Sequence, residues 1–190
     1  MEKENKTVDQ KDVAHQEDEI LFHTRIFDVV KRYQKGHSGR MLERYVVRNP
    51  GAVAILPILP DGRILLLKQY RSPTKKYIYE IPAGTREQGE EPILTASREL
   101  IEETGYHAGK IVPMTSFYSS PGIFQERLYL FKATELVPGP NALEDGEDIT
   151  LYPVSPEDVK RMIRSGEIED AKTLLALLSL FTTEDLFAVD

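Results

Sequence analysis

A chain of 190 residues with ordinary apolar and charged fractions is long enough for one domain with a sizeable core plus extensions. It contains no cysteine, which excludes a disulfide framework, a thiolate metal site and a cysteine nucleophile, and which fits a reducing cytoplasm. A net charge of −7 argues against general nucleic-acid binding, although an acidic protein still binds a phosphate ester where metal ions supply local positive charge.

Residues 1–18 are polar, charged and poor in aromatics, so a flexible tail is expected there. The start lacks the apolar core of a signal peptide, and no run is long enough to span a membrane. Residues 19–48 read as N-terminal antiparallel strands. β-like runs at Ile20–Arg32 and Met41–Val47 flank Gly36, Ser38 and Gly39, the signature of a hairpin turn. His23 has no second histidine at metal-ligand spacing and reads as structural or exposed. Residues 49–185 read as one further domain, without an internal repeat. In it, Ala52–Leu59 is a continuous apolar run, as in a buried strand, followed by a Pro60-Asp61-Gly62 turn and a returning strand at Ile64–Gln69. Arg71 lies just beyond, either in a surface ion pair or as a bidentate phosphate donor. Tyr77–Ile81 is a short strand running into a Pro82-Ala83-Gly84 loop, whose carbonyls could face a metal.

Pro92–Thr104 reads as a helix, opened by an early proline that needs no N–H donor and stopped by Gly105. Glu99, Glu102 and Glu103 stand at i, i+3 and i+4, so three carboxylates share one face and repel unless a cation lies between them. Taken alone, such a cluster reads first as a solvated acidic face. As a site, its all-oxygen donors suit a hard divalent ion such as Mg2+. Arg98 sits among these carboxylates and is read as orienting one of them, and Gly84 as a point of close backbone approach.

Further strands are expected at Lys110–Tyr118 and Leu128–Thr134, separated by a Ser119–Gly122 turn and by Glu126. The Val137–Asp148 loop carries Glu144, Asp145, Glu147 and Asp148, either as a solvated acidic loop or as a source of a metal ligand or general base. Ile149–Val154 is a last strand. Ser155 and Pro156 then open a helix ending near Gly166, and a second helix from about Asp170 carries an apolar stripe from Leu174 to Phe181. This order suggests an α/β (α+β) fold, an α/β/α sandwich with a mixed sheet.

Gly84, Glu90, Arg98-Glu99, Glu102-Glu103 and Gly105 together spell G-x5-E-x7-R-E-x-x-E-E-x-G, which resembles the signature box of the Nudix hydrolases. Tyr106 is larger than the aliphatic residue usual after that box. Ser120-Pro121-Gly122-x3-Glu126, Gln69-Tyr70-Arg71, Glu80–Gly84 and Glu167–Thr173 are similar to segments of the ADP-ribose pyrophosphatase branch, so the resemblance covers about Ile20–Phe181.

The resemblance implies the Nudix fold and Mg2+-dependent hydrolysis of the pyrophosphate of ADP-ribose to AMP and ribose 5-phosphate, with Mn2+ as a substitute ion. A broader nucleoside diphosphate sugar hydrolase, acting on GDP-mannose or UDP-sugars, is the close alternative. A non-catalytic ADP-ribose sensor is the more distant one. Carried over residue by residue, the resemblance makes Glu99, Glu103 and the Ala83 carbonyl metal ligands, joined by Glu102 in some arrangements. Glu147 becomes a general base or further ligand, with Asp145 as runner-up, so that Glu102, Glu103 and Glu147 form the catalytic set. Arg71, Glu80, Pro121, Gly122 and Glu126 become substrate contacts, while Gly84, Glu90, Arg98 and Gly105 shape and orient the box. Phe27 would stack on the base from N-terminal strands that swap between subunits, which implies a homodimer. No nucleic-acid or membrane partner is implied, and the expected location is the cytoplasm.

Overall fold

Two alternating faces of one apolar strand organise the chain. In the computed structural model, which describes residues 18–140 and 148–182, that strand is β4 (Ala52–Pro57). Its Val53 and Ile55 point into one buried cluster, while Ala54 and Leu56 point into another. A strand whose successive side chains are all apolar must be covered on both sides. Helix α1 (Pro92–Thr104) covers the first side through Ala96 and Leu100. Helices α2 (Pro156–Ser165) and α3 (Ala171–Phe181) cover the second through Val159, Met162, Ala176 and Leu177. The result is the expected three-layer α/β/α arrangement.

The central layer is divided rather than continuous. A four-stranded mixed sheet has the order β7-β4-β9-β8, where β7 is Ala83–Thr85, β8 is Tyr106–Tyr118 and β9 is Arg127–Pro138. In it β4 and β9 are parallel and the other pairs antiparallel. A three-stranded antiparallel sheet has the order β10-β5-β6, with β5 at Ile64–Arg71, β6 at Lys76–Glu80 and β10 at Ile149–Val154. Both sheets feed the same clusters, since Ile64 and Leu66 of β5 lie with Ala54 while Leu65 lies with Val53.

Three boundaries differ from expectation. The Pro82-Ala83-Gly84 stretch is not a plain loop, because Ala83–Thr85 pairs with β4 in the register Ala54↔Ala83 and Val53↔Gly84. Strand β8 begins at Tyr106, directly after the helix-ending Gly105, and β9 continues to Pro138, where the two pair as Tyr106↔Pro138. The residues added at the start of β8 are Tyr106–Gly109, where only Tyr106 and Ala108 face the core and His107 and Gly109 are poor strand formers, so the pairing with β9 defines the strand there. The N-terminal run also divides. Strand β1 (Glu19–His23), β2 (Asp28–Lys35) and β3 (Met41–Arg48) form an antiparallel sheet. The break after His23 is made by Thr24, whose hydroxyl donates to the Phe27 carbonyl at 2.7 Å and accepts from the Phe27 N–H at 2.9 Å. The tail expected at residues 1–18 lies, apart from Asp18, outside the described residues.

Candidate active site

Helix α1 carries the acidic face to its position. Pro92 begins it, and Gly105 closes it in a left-handed conformation (φ 72°), donating its N–H to the Ile101 carbonyl at 2.8 Å. Burial of Ala96 and Leu100 fixes the rotation of the helix, which turns Glu99 and Glu103 inward beside β7, where both are buried. The Ala83 N–H donates to Glu103 Oε2 at 2.9 Å. Gly84 lies directly beneath Glu99, and a β-carbon at that position would overlap its carboxylate. Only glycine leaves the space that this carboxylate occupies.

One guanidinium gathers the other carboxylates. Arg98 Nη1 donates to Glu99 Oε1 and to Glu102 Oε2, each at 2.8 Å, while its Nε and Nη2 reach the two Glu90 oxygens at 3.3 Å. Arg98 thus orients three carboxylates, where the sequence suggested one. Its hydrogen bond holds the Glu90 carboxyl down at about 2, against the opposing effect of burial. Burial alone would lower the pKa of Arg98, but Glu90, Glu99 and Glu102 outweigh it and raise it well above the usual arginine value. Glu90 also accepts from the Glu87 N–H at 3.0 Å, and Arg86 donates to the Glu90 carbonyl, so the segment before the helix is tied down.

These groups open on a cavity of about 520 Å³, lined by Glu99, Glu102, Glu103, Ala83, Gly84 and the arginines 25, 71, 86 and 98. Carboxylates for cations and guanidiniums for anions therefore face one space, of a size suited to a small-molecule ligand. Among the described residues no three acidic or histidine side chains are already gathered as a metal cage. Glu99 and Glu102 are drawn to Arg98, and Glu103 to the Ala83 N–H. The donor chemistry nevertheless fits a hard divalent cation, because every candidate is an oxygen on or beside a helix, and Gly84 makes room for the Glu99 carboxylate.

The remaining sequence candidates fall in different places. Arg71 lines this cavity and also a second one of about 370 Å³, which it shares with Ala83, Gly84, Ser119, Glu126 and Lys172. Glu126 is half-buried there, accepting from Asn49 Nδ2 and from Ser119 Oγ, both at 2.8 Å. Glu80, expected among the substrate contacts, is only 1% exposed. Its oxygens accept from Arg71 Nε at 2.6 Å and Nη2 at 2.9 Å, and from Lys172 Nζ. Glu80 therefore stands behind Arg71 rather than facing the cavity. Pro121 and Gly122 are exposed in the turn between β8 and β9 and are not among the lining residues of either cavity. The segment after them docks on β3, where the Val47 N–H donates to the Ile123 carbonyl and the Gln125 N–H to the Val47 carbonyl, each at 2.9 Å.

Phe27 is half-buried and lines a neighbouring groove of about 550 Å³ together with His23, Asp28 and Arg48. Arg25 and Ile26, on the same turn, line both that groove and the glutamate cavity. His23 is exposed and bonded to Asp28 at 2.7 Å. Glu147 and its runner-up Asp145 lie outside the described residues. Sequence reasoning did not single out Arg25, Ile26 or Arg86, nor, beyond its place in the Gln69-Tyr70-Arg71 segment, Gln69. The last is buried with its Oε1 unpartnered and lies two residues before Arg71 on β5, so strand alternation was the available signal.

Known proteins share this frame. The NUDIX domain family matches residues 48–177. An ADP-ribose pyrophosphatase of Bacillus subtilis (strain 168) is 38% identical over 185 residues, which cover 96% of this chain and 98% of the relative. A methanol dehydrogenase activator of Bacillus methanolicus is 39% identical over 151 residues, covering 78% of this chain and 82% of that protein. A solved structure described as an ADP compounds hydrolase matches with a TM-score of 0.73 at 22% identity, over 86% of this chain and 89% of that one, a likeness of fold. With the family match lying across the whole box and its sheet, and with a relative alike along almost its full length, this chain belongs to the Nudix family.

Proposed function

We propose that this protein is a pyrophosphohydrolase that splits ADP-ribose into AMP and ribose 5-phosphate with the help of Mg2+. The observation that carries the reading is the convergence of Glu99, Glu102 and Glu103 with Arg71 on one cavity beside the Ala83–Thr85 strand. The similarity to the Bacillus subtilis ADP-ribose pyrophosphatase along nearly the whole chain supports the same substrate.

In this reading, Glu99, Glu103 and the Ala83 carbonyl hold the metal, with Glu102 alongside. When bound, the ion neutralises the diphosphate and acidifies a water; Mn2+ is of the same class and substitutes. Arg98 keeps Glu99 and Glu102 oriented, and Glu90 anchors Arg98 from behind. Arg71 offers its guanidinium to a phosphate, while Glu126 accepts from a hydroxyl of the terminal ribose. Proton removal is assigned to Glu147, with Glu102 as the carboxylate already in the cavity. Glu103→Gln removes a negative ligand without changing shape, so ADP-ribose turnover is expected to vanish while the circular dichroism spectrum is kept.

Residues 19–48 are assigned to a homodimer interface and residues 49–185 to the catalytic domain. The interface assignment is supported by Ile20, Leu21, Phe22, Ile26 and Tyr45, which the N-terminal sheet and its turn leave exposed. Cytoplasmic location is proposed from the absence of cysteine. Among the described residues no helix is long and apolar enough to cross a membrane.

The test is incubation with ADP-ribose, GDP-mannose and UDP-glucose, with Mg2+ and with chelator, followed by chromatography of the products. Metal-dependent AMP and ribose 5-phosphate from ADP-ribose support the proposal. Comparable cleavage of all three compounds replaces it with a broad nucleoside diphosphate sugar hydrolase. Binding of ADP-ribose without cleavage replaces it with a sensor.

A further inference from the structure

The first turn of α3 reaches the active site through a chain of charges, half-buried around the buried Glu80, that the reaction itself does not account for. Asp170 caps this helix, accepting from the Thr173 N–H at 3.0 Å and from the Thr173 hydroxyl at 2.6 Å. The fully buried Thr173 hydroxyl in turn accepts from the Ile81 N–H at 2.9 Å, which fastens α3 to the end of β6. Between these anchors stands Lys172, whose side chain is only 13% exposed. Its ammonium pairs with Asp170 at 3.0 Å and with Glu80 Oε2. Glu80, on the last position of β6, presents both oxygens to Arg71. Asp170, Lys172, Glu80 and Arg71 form an alternating row of two negative and two positive groups; Asp170 and Lys172 line the smaller cavity, and the row ends at the guanidinium lining both.

We infer that Lys172 is a positioning residue, which acts through Glu80 to set the direction and the effective charge of Arg71 toward the diphosphate. This rests on the reading that Arg71 contacts substrate. A carboxylate as deeply buried as Glu80 must be paired and hydrogen-bonded, and here two cations share that task. With Lys172 present, Arg71 supplies part of that compensation and keeps its outward face for a ligand. Without it, Glu80 and Asp170 are left with one guanidinium between them. Arg71 is then drawn inward, and the wall facing an anionic substrate gains a net negative charge. Substrate binding suffers, while the carboxylates of α1 stay as they were.

The experiment is a double-mutant cycle on ADP-ribose hydrolysis at saturating Mg2+, with a thermal melt of every variant. Lys172→Met is expected to raise KM about tenfold with kcat within about threefold, and Lys172→Arg to recover most of that loss. Arg71→Gln is expected to raise KM at least as much, and Lys172→Met added to Arg71→Gln to change KM by less than about twofold. Independent, additive effects on KM overturn the proposal and make Lys172 a substrate contact in its own right. An unchanged KM in folded Lys172→Met overturns it as a structural pair only. An unchanged KM in Arg71→Gln instead overturns the reading of Arg71, whatever Lys172 does. Should Lys172→Met fail to fold, Glu80→Gln/Lys172→Met leaves no lone charge on Glu80. A KM within about twofold of that of Glu80→Gln alone supports the proposal, because Lys172 then has nothing left to act through, and a KM well above that of Glu80→Gln overturns it.

Discussion

Gly84 and Glu99 occupy one another's space, and the chemistry of the cavity depends on that fit. Gly84→Ala would press a methyl group into the carboxylate, so Glu99 must rotate or β7 must shift. The expected outcome is loss of metal-dependent turnover with a stability cost of about 1–3 kcal/mol, read from activity and thermal melting together. Glu90 offers a test by pH. Its carboxyl is held at about 2 by Arg98, below its ordinary 4.5, so the pair stabilises the fold in full above pH 4.5. That contribution fades as the pH falls from 4.5 toward 2, and Glu90→Gln should flatten the drop in melting temperature across that interval. Spacing made the box residues visible, because i, i+3 and i+4 fix a helix face without any knowledge of the rest of the chain. Glu80 and Phe27 were harder. Whether a strand or turn residue looks into a cavity or away from it is decided by packing partners, and Lys172 joins Glu80 from the far end of the chain.

Helix α1 was bounded correctly from Pro92 and Gly105, since each end is set by a residue with its own backbone rule. What holds the helix in place is Leu100, fully buried against the sheet. Leu100→Ala is expected to cost about 2–5 kcal/mol, seen as a lower urea midpoint. Metal-dependent activity should be retained in the fraction that stays folded. Strand β7 escaped detection for the opposite reason. Three small or polar residues have no periodicity of their own, and they form a strand only because β4 lies alongside them.

Across the whole molecule, the continuous apolar run of β4 and the apolar stripe of the last helix were enough to imply a layered fold covered on both sides. The division of the central layer into two sheets was not legible, because strand order depends on pairings between distant segments. The exposed apolar side chains of the N-terminal sheet raise the question of assembly. If that sheet forms the proposed dimer interface, Phe22→Asp should shift the sedimentation coefficient to that of a monomer. An unchanged coefficient, whether of monomer or dimer, would remove this face from the interface.

The contact between Gly84 and Glu99 also works as a ruler. The strand at one end is in register with β4, and the helix at the other is keyed by Ala96 and Leu100. The stretch between is tied by Arg86 to the carbonyls of Glu90 and Pro50. One residue added inside the helix between Ala96 and Glu99 would turn Glu99 by about 100° relative to the face that Ala96 keys and bring a different side chain over the glycine. Insertions are thus tolerable elsewhere on the surface but not within this interval, where a change of length would remove activity even if the fold survived.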